Sequence, residues 1–303
     1  MPLLLLLLVV FIAGCDRIEK LFLEEDLLQR PPSKRCAECH QNIYNQWLDS
    51  RHSKAWTSPH YVEASNNHTK TKYLSCHAPL EIHPEKKPQL RDKLREEGVN
   101  CFSCHYKEET NSMHGPYDVF SPPHYSTYDP VYITSKICSS CHQKTYKQWQ
   151  QTASKRNCQE CHMPAKKGRL IQKFPFTYLH SKKDIHSHKF PASIASEKDF
   201  QIKISINDDI LTLSIKNTGI PHSVPTADNG KPKLYIYLTG FKNGNEIFNQ
   251  MQIINSKDPL KFGKWKELDF FIDLKPDKVV VTILRKLSWK NKKEKVLQKE
   301  FQF

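Results

Sequence analysis

The first two thirds of this chain lack what a conventional globule needs. From Cys36 to about Pro191 there is little sustained apolar periodicity, so neither a helix bundle nor a stacked sheet finds a continuous buried face there. The apolar run at the start, Leu3 to Gly14, falls short of the roughly 20 residues that cross a bilayer and has the length of a signal-peptide core. No lysine or arginine precedes it, which is off pattern for a leader. Cysteine is absent beyond Cys161, so nothing can cross-link the last third. Acidic residues are the minority, 32 against 46 Lys and Arg, for a formal net charge of +14. That excess is spread over both halves, and the compartment expected for an exported chain offers little nucleic acid, so nucleic-acid binding is not expected.

What is present is a row of Cys-His pairs. Four are complete Cys-x-x-Cys-His units: Cys36/Cys39/His40, Cys101/Cys104/His105, Cys138/Cys141/His142 and Cys158/Cys161/His162. Two thiols three residues apart lie on one helical turn, where each can form a thioether with one haem vinyl group, and the next residue, His, then meets the iron as proximal ligand. Paired Cys-x-x-Cys also writes structural zinc sites. Zinc has no need of His after the second Cys, however, and His makes up only 15 of 303 residues, so its recurrence at that place selects covalently bound haem c. A fifth pair is defective. In Tyr73-Leu74-Ser75-Cys76-His77, Tyr73 replaces the first Cys, which leaves a haem held by Cys76 alone with His77 on iron, or a vestigial site that is simply structural.

These motifs take nine of the ten cysteines, and Cys15 is the tenth. Phe11-Ile12-Ala13-Gly14-Cys15 resembles a bacterial lipobox, in which the leader is cut before a Cys that is then acylated. None remains for a disulfide. Export is still expected, because haem attachment of this type takes place outside the cytoplasmic membrane. The expected layout is a signal peptide at 1–14, a lipid-anchored tether helix at 15–35, a multihaem domain at 36–192 and a β-sandwich at 193–303. The product is periplasmic or on the cell surface, lipid-anchored to a bacterial membrane. Haem propionates offset much of the basic excess, and the rest serves solubility or draws in an acidic redox partner.

A local repeat relates Cys36-Ala-Glu-Cys-His-Gln-Asn-Ile-Tyr-Asn-Gln-Trp47 to Cys138-Ser-Ser-Cys-His-Gln-Lys-Thr-Tyr-Lys-Gln-Trp149. Five residues after each Trp the copies part, with His52 in one and Ser154 in the other, so the two haems cannot share a distal solution. From about Ser193 the pattern changes to period two, as in Phe200 to Ile206 and Ile210 to Ile215 around Asn207-Asp208-Asp209. Further strands are predicted at Lys233 to Phe241, Glu246 to Ile254, Lys266 to Ile272, Lys278 to Lys286 and Val296 to Phe303, with a turn at Lys242-Asn-Gly-Asn245. The fold class is therefore α+β in two domains: a mainly helical, loop-rich multihaem domain organised around stacked haems, then an immunoglobulin-like all-β sandwich.

The stretch from Cys36 to about Pro191 resembles multihaem c-type cytochromes of the c552/c554 type. The likeness rests on the haem motifs, Trp47-Leu-Asp-Ser-Arg-His52-Ser-Lys-Ala55, Cys76-His77-Ala-Pro79, Gly115-Pro116, Cys161-His162-Met163-Pro164 and His188-Lys-Phe190-Pro191. Asn217 to Thr226 resembles the opening of the β-sandwich often fused to such cytochromes, with Pro221 where Gly is usual. The resemblance implies electron transfer with mostly bis-histidine haems, and it makes His52 the first candidate for a second axial ligand. His188, His124 and His114 are the next candidates among the ten histidines outside the motifs.

Three functions compete. The first is a lipid-anchored carrier passing electrons along four or five haems to a redox partner protein or a quinol-linked membrane complex. The second is a haem enzyme acting on nitrite, nitric oxide or hydroxylamine, or a small sulfur compound, at the iron held by His77 or His142. In the third, the sandwich is a docking module.

Overall fold

The computed structural model describes residues 29–119, 123–192, 195–228 and 230–303. The expected signal peptide, the acylated Cys15 and the tether helix as far as residue 28 lie outside the described residues. No helix among those described is long and apolar enough to cross a membrane.

The chain divides into two compact units. One comprises the described residues up to Cys141 together with Asn157–Pro191, and the other comprises His142–Arg156 together with Ala192–Phe303. The domain boundary read from the sequence places His142–Arg156 with the haem motifs; here this segment groups with the sheets.

The helices are short: α1 Ala37–Leu48, α2 Pro59–Ala64, α3 Leu74–His77, α4 Cys101–His105, α5 Gln143–Gln150 and α6 Cys158–His162. Three of them, α3, α4 and α6, are nothing but a motif folded into one turn. Local chemistry starts two of these turns. The Asn100 side chain accepts from the Ser103 N–H ahead of α4, and Asn157 forms a reciprocal capping box with Glu160 ahead of α6. At the first motif the helix breaks at His40, whose φ and ψ are −110° and 43°, and His142 has similar values just before α5. Each His therefore leaves the helical path and projects beside the turn that carries the thiols.

The first motif stands where a tight turn runs into a helix: Cys36 closes the 3-10 turn Ser33–Cys36 with helical φ and ψ of −64° and −28°, and Cys39 follows three residues on in α1, one residue before the break at His40. The Pro32 carbonyl takes the Arg35 N–H at 2.9 Å, an i to i+3 bond that winds the chain tightly before α1 begins at Ala37. In the third motif Cys138 likewise closes the 3-10 turn Ser135–Cys138, and Ser139 after it stays helical.

Between the turns run loops and two small sheets. β1 Tyr106–Lys107, β2 Ser112–Gly115 and β3 Ser126–Tyr128 form one, and β4 Ala165–Gly168 pairs antiparallel with β5 Lys183–His186. Gly98, at φ 62°, is required where it stands, because a Cβ there would lie 2.3 Å from the His52 carbonyl oxygen.

The C-terminal sheets are built from β6 Phe200–Asn207, β7 Ile210–Asn217, β8 Lys233–Lys242, β9 Asn245–Asn255, β10 Trp265–Phe271, β11 Lys278–Lys286 and β12 Glu294–Gln302. They pair antiparallel in the orders β10-β7-β6 and β12-β11-β8-β9. Alternate residues point inward, so Leu211, Leu213 and Ile215 of β7, Ile236 and Leu238 of β8, and Val279, Val281 and Ile283 of β11 are fully buried in one cluster. The β8–β9 hairpin closes through Asn243-Gly244, both at positive φ, the conformation a tight two-residue turn demands.

Candidate haem-binding site

Four of the five motif histidines share one arrangement. His40 Nδ1 lies 2.8 Å from the Leu170 carbonyl oxygen, His77 Nδ1 2.6 Å from that of Ala55, His105 Nδ1 2.7 Å from that of His114, and His162 Nδ1 2.8 Å from that of Pro191. A carbonyl can only accept, so in each case Nδ1 carries the proton and the neutral ring keeps its lone pair on Nε2. The fifth, His142, faces a carboxylate: its Nδ1 is 3.8 Å from Asp228 Oδ2.

Two histidines outside the motifs meet motif histidines. The rings of His40 and His124 have centroids 6.3 Å apart, and those of His105 and His188 are 6.1 Å apart. Imidazole binds a metal at about 2 Å. With roughly 1 Å from nitrogen to ring centre on each side, two rings sharing one iron stand about 6 Å apart. The added histidines are also anchored through Nδ1, His124 to the Tyr125 carbonyl at 3.1 Å and His188 to that of His186 at 2.9 Å. Burial lowers the pKa of all four rings, to about 4 for His124 and about 4 for His188, where the nearby His105 adds to the effect. Neutral imidazoles are what an iron accepts as ligands.

The other two distal candidates are placed differently. His114 has both ring nitrogens engaged, Nδ1 with Asp129 at 3.2 Å and Nε2 with Thr110 Oγ1 at 2.7 Å, while its carbonyl receives His105. His52 packs edge-on against Phe190 at 4.2 Å, and Phe190 in turn meets His188 at 5.8 Å.

The nine described cysteines, Cys36, Cys39, Cys76, Cys101, Cys104, Cys138, Cys141, Cys158 and Cys161, are all half-buried, and none is in a disulfide. Thiols from separate motifs nonetheless face one another at hydrogen-bond reach: Cys36 with Cys101, Cys76 with Cys141, and Cys138 with Cys158. Cys39 is fixed through its backbone, since its carbonyl accepts the Gln172 N–H at 2.8 Å, close to the Leu170 carbonyl that takes the His40 ring proton. Burial pushes the Cys104 thiol up to about 12. At the defective motif, Tyr61 stacks on His77 at 3.5 Å and continues to His68 and Trp56, an aromatic pile standing beside the site where Tyr73 takes the place of a thiol.

Asp228 is held by the backbone N–H of Lys144 and, at 3.0 Å, by the Thr145 hydroxyl. Burial works to raise its pKa, but His142 and these donors outweigh burial and hold the carboxyl below its ordinary value. Sequence reasoning did not find Asp228, because a lone Asp near the start of a sheet region has no pattern. Nor did it find the carbonyl acceptors, since every residue carries one.

The residues thus fit haem c: paired thiols three residues apart, a proton-fixed imidazole beside them and, for two motifs, a second imidazole at the right separation. No curated protein matches the chain. The family described as cytochrome c554 and c-prime matches residues 35–106. A penta-haem cytochrome c552 from Thermochromatium tepidum shares the fold with a TM-score of 0.62 and 18% identity, over 91% of this chain and 100% of that one. A DUF3823 family protein from Bacteroides ovatus (TM-score 0.23, 9% identity, 34% of this chain and 52% of that one) and a protein from Archaeoglobus fulgidus (TM-score 0.21, 11% identity, 34% and 94%) also match, too weakly to carry an argument. The family segment and the shared fold together support a multihaem c-type cytochrome, and the antiparallel sheet domain is compatible with a C-terminal extension to it.

Proposed function

We propose that the protein is an exported, lipid-anchored electron carrier with five closely packed c-type haems, the fifth held by Cys76 alone. The observation that carries this reading is the pairing of His40 with His124 and of His105 with His188 at separations suited to one iron between each pair. Each bound haem supplies one-electron exchange between ferric and ferrous iron. The chain's own part is to hold the ligands. Backbone carbonyls fix these four rings through Nδ1, and Gln46 of α1 accepts the His188 N–H at 2.9 Å, which ties the second axial ligand to the first motif's helix. His114 supports His105 through its carbonyl rather than binding iron. The facing thiols of separate motifs favour stacked, closely spaced haems, the arrangement that lets electrons pass along the chain. Cys15 would bear the lipid, and a redox protein or quinol-linked membrane complex would be the partner.

The strand orders β10-β7-β6 and β12-β11-β8-β9 favour an immunoglobulin-like sandwich, since they match sheets E-B-A and G-F-C-C′ of that architecture.

Low-temperature electron paramagnetic resonance of the oxidised, haem-loaded protein tests the reading, with intact mass counting the haems. Low-spin signals from at least the His40/His124 and His105/His188 irons are expected, with five haems by mass. A stoichiometric high-spin signal altered by nitrite or hydroxylamine would instead favour an enzyme whose open iron is held by His77 or His142.

A further inference from the structure

Four motif histidines give their Nδ1 proton to a neutral backbone carbonyl at 2.6 to 2.8 Å, and only His142 faces a charged acceptor. The acceptor is built into place. Asp228 is mostly buried, with 13% of its side chain exposed, and Oδ1 takes the Lys144 N–H while Oδ2 takes the Thr145 hydroxyl at 3.0 Å. The same loop is pinned again by Thr226, whose hydroxyl lies 3.0 Å from that of Thr145 and donates to Gln148 Oε1 at 2.9 Å. Lys144 Nζ adds a bond to the Ser256 carbonyl at 3.0 Å. The loop before β8 is thereby fastened along α5, with its carboxylate aimed at the one ligand histidine at the head of that helix.

We propose that Asp228 is a positioning residue that makes His142 the most electron-rich of the proximal ligands, so that the sheet domain sets the potential of one particular haem. A proton shared with a carboxylate gives the ring more imidazolate character than one shared with an amide oxygen. Such a ring stabilises ferric over ferrous iron. The 3.8 Å separation stands just outside hydrogen-bond length, and ligation of Nε2 would favour closing it by fixing the proton on Nδ1. This gives the C-terminal domain a chemical role in the cytochrome.

The inference rests on haem attachment at Cys138, Cys141 and His142, and the two can fail separately. Pyridine haemochrome and intact mass on each preparation report whether haem is bound, and a redox titration followed optically and by electron paramagnetic resonance reports the potentials. Asp228→Asn is expected to favour reduction of a single haem by about tenfold, about 59 mV for one electron, with the other waves in place. Asp228→Glu, which keeps the charge, is expected to stay near the parent value and covers the case in which the Asn variant fails to mature. Full haem content with every wave unmoved in Asp228→Asn would overturn the proposal. An equal shift of all waves, or a shift in Asp228→Glu as large as in Asp228→Asn, would overturn it as well.

Discussion

Arg91 is 4% exposed, and its guanidinium is spent almost wholly on backbone. It donates to the carbonyls of Lys93, Pro79, Leu94 and Gly98 and to Ser103 Oγ at 2.7 to 3.0 Å. Ser103 sits between Cys101 and Cys104, so one side chain ties the loop before the motif to the turn that carries its thiols. Arg91→Met would leave several buried acceptors short of a donor at about 1–3 kcal/mol each, for a loss on the order of 3 kcal/mol after relaxation. Arg91→Lys is expected to restore little, because an ammonium cannot reproduce the planar fork. A lowered guanidinium midpoint of the haem-loaded protein, with a similar deficit in both variants, is the check. At this scale the covalent chemistry was legible and its support was not. Cys-x-x-Cys-His can be read because thioether formation demands that spacing, whereas Arg91 mainly serves backbone carbonyls that every residue carries, and Asp228 and the carbonyls of Leu170, Ala55 and Pro191 act across sequence separations that leave no local pattern.

Elements of the second unit were the most legible part of the chain. Period-two alternation located all seven strands with ends within a few residues, because each strand buries one face only, and Asn243-Gly244 announced its turn. In the first unit the elements were harder to read, since a one-turn helix has no period to detect. The two tryptophans of the local repeat sit in unlike surroundings. Trp47 is buried and donates to the Val99 carbonyl at 2.8 Å, far along the chain, while Trp149 is half-buried and donates to nearby Arg156 at 2.8 Å. The sheet core yields a direct prediction. Leu213 is fully buried at the centre of β7, between Ile204 of β6 and Leu268 of β10, so Leu213→Ala should cost about 2–5 kcal/mol through lost burial and the cavity left behind. The loss should show as an earlier transition in far-ultraviolet circular dichroism, while the low-temperature low-spin signals expected of the proposed His40/His124 and His105/His188 irons stay unchanged.

Across the whole molecule, apolar burial is unevenly divided. The contiguous cluster of buried apolar side chains lies in the sheet domain. The first unit offers only scattered ones, such as Ala37, Trp47, Tyr61, Leu74, Ile82, Val99, Phe102 and Ile171. Side chains so dispersed cannot offset the ordering entropy of a loop-rich chain at about 1–2 kcal/mol per residue. Bound haem would bring the missing apolar surface and would thereby couple binding to folding in the first unit, while the sheets carry a core of their own. Chain made in a cytoplasm without haem attachment should therefore be half folded. Limited proteolysis is expected to leave a fragment beginning near Ala195 that melts cooperatively with a β-sheet spectrum, while the first unit, up to Cys141 and over Asn157–Pro191, is digested. If the haem-free first unit resisted protease as well as the sheets do, its core would have to come from the polypeptide alone, and the structural role given to haem would fall.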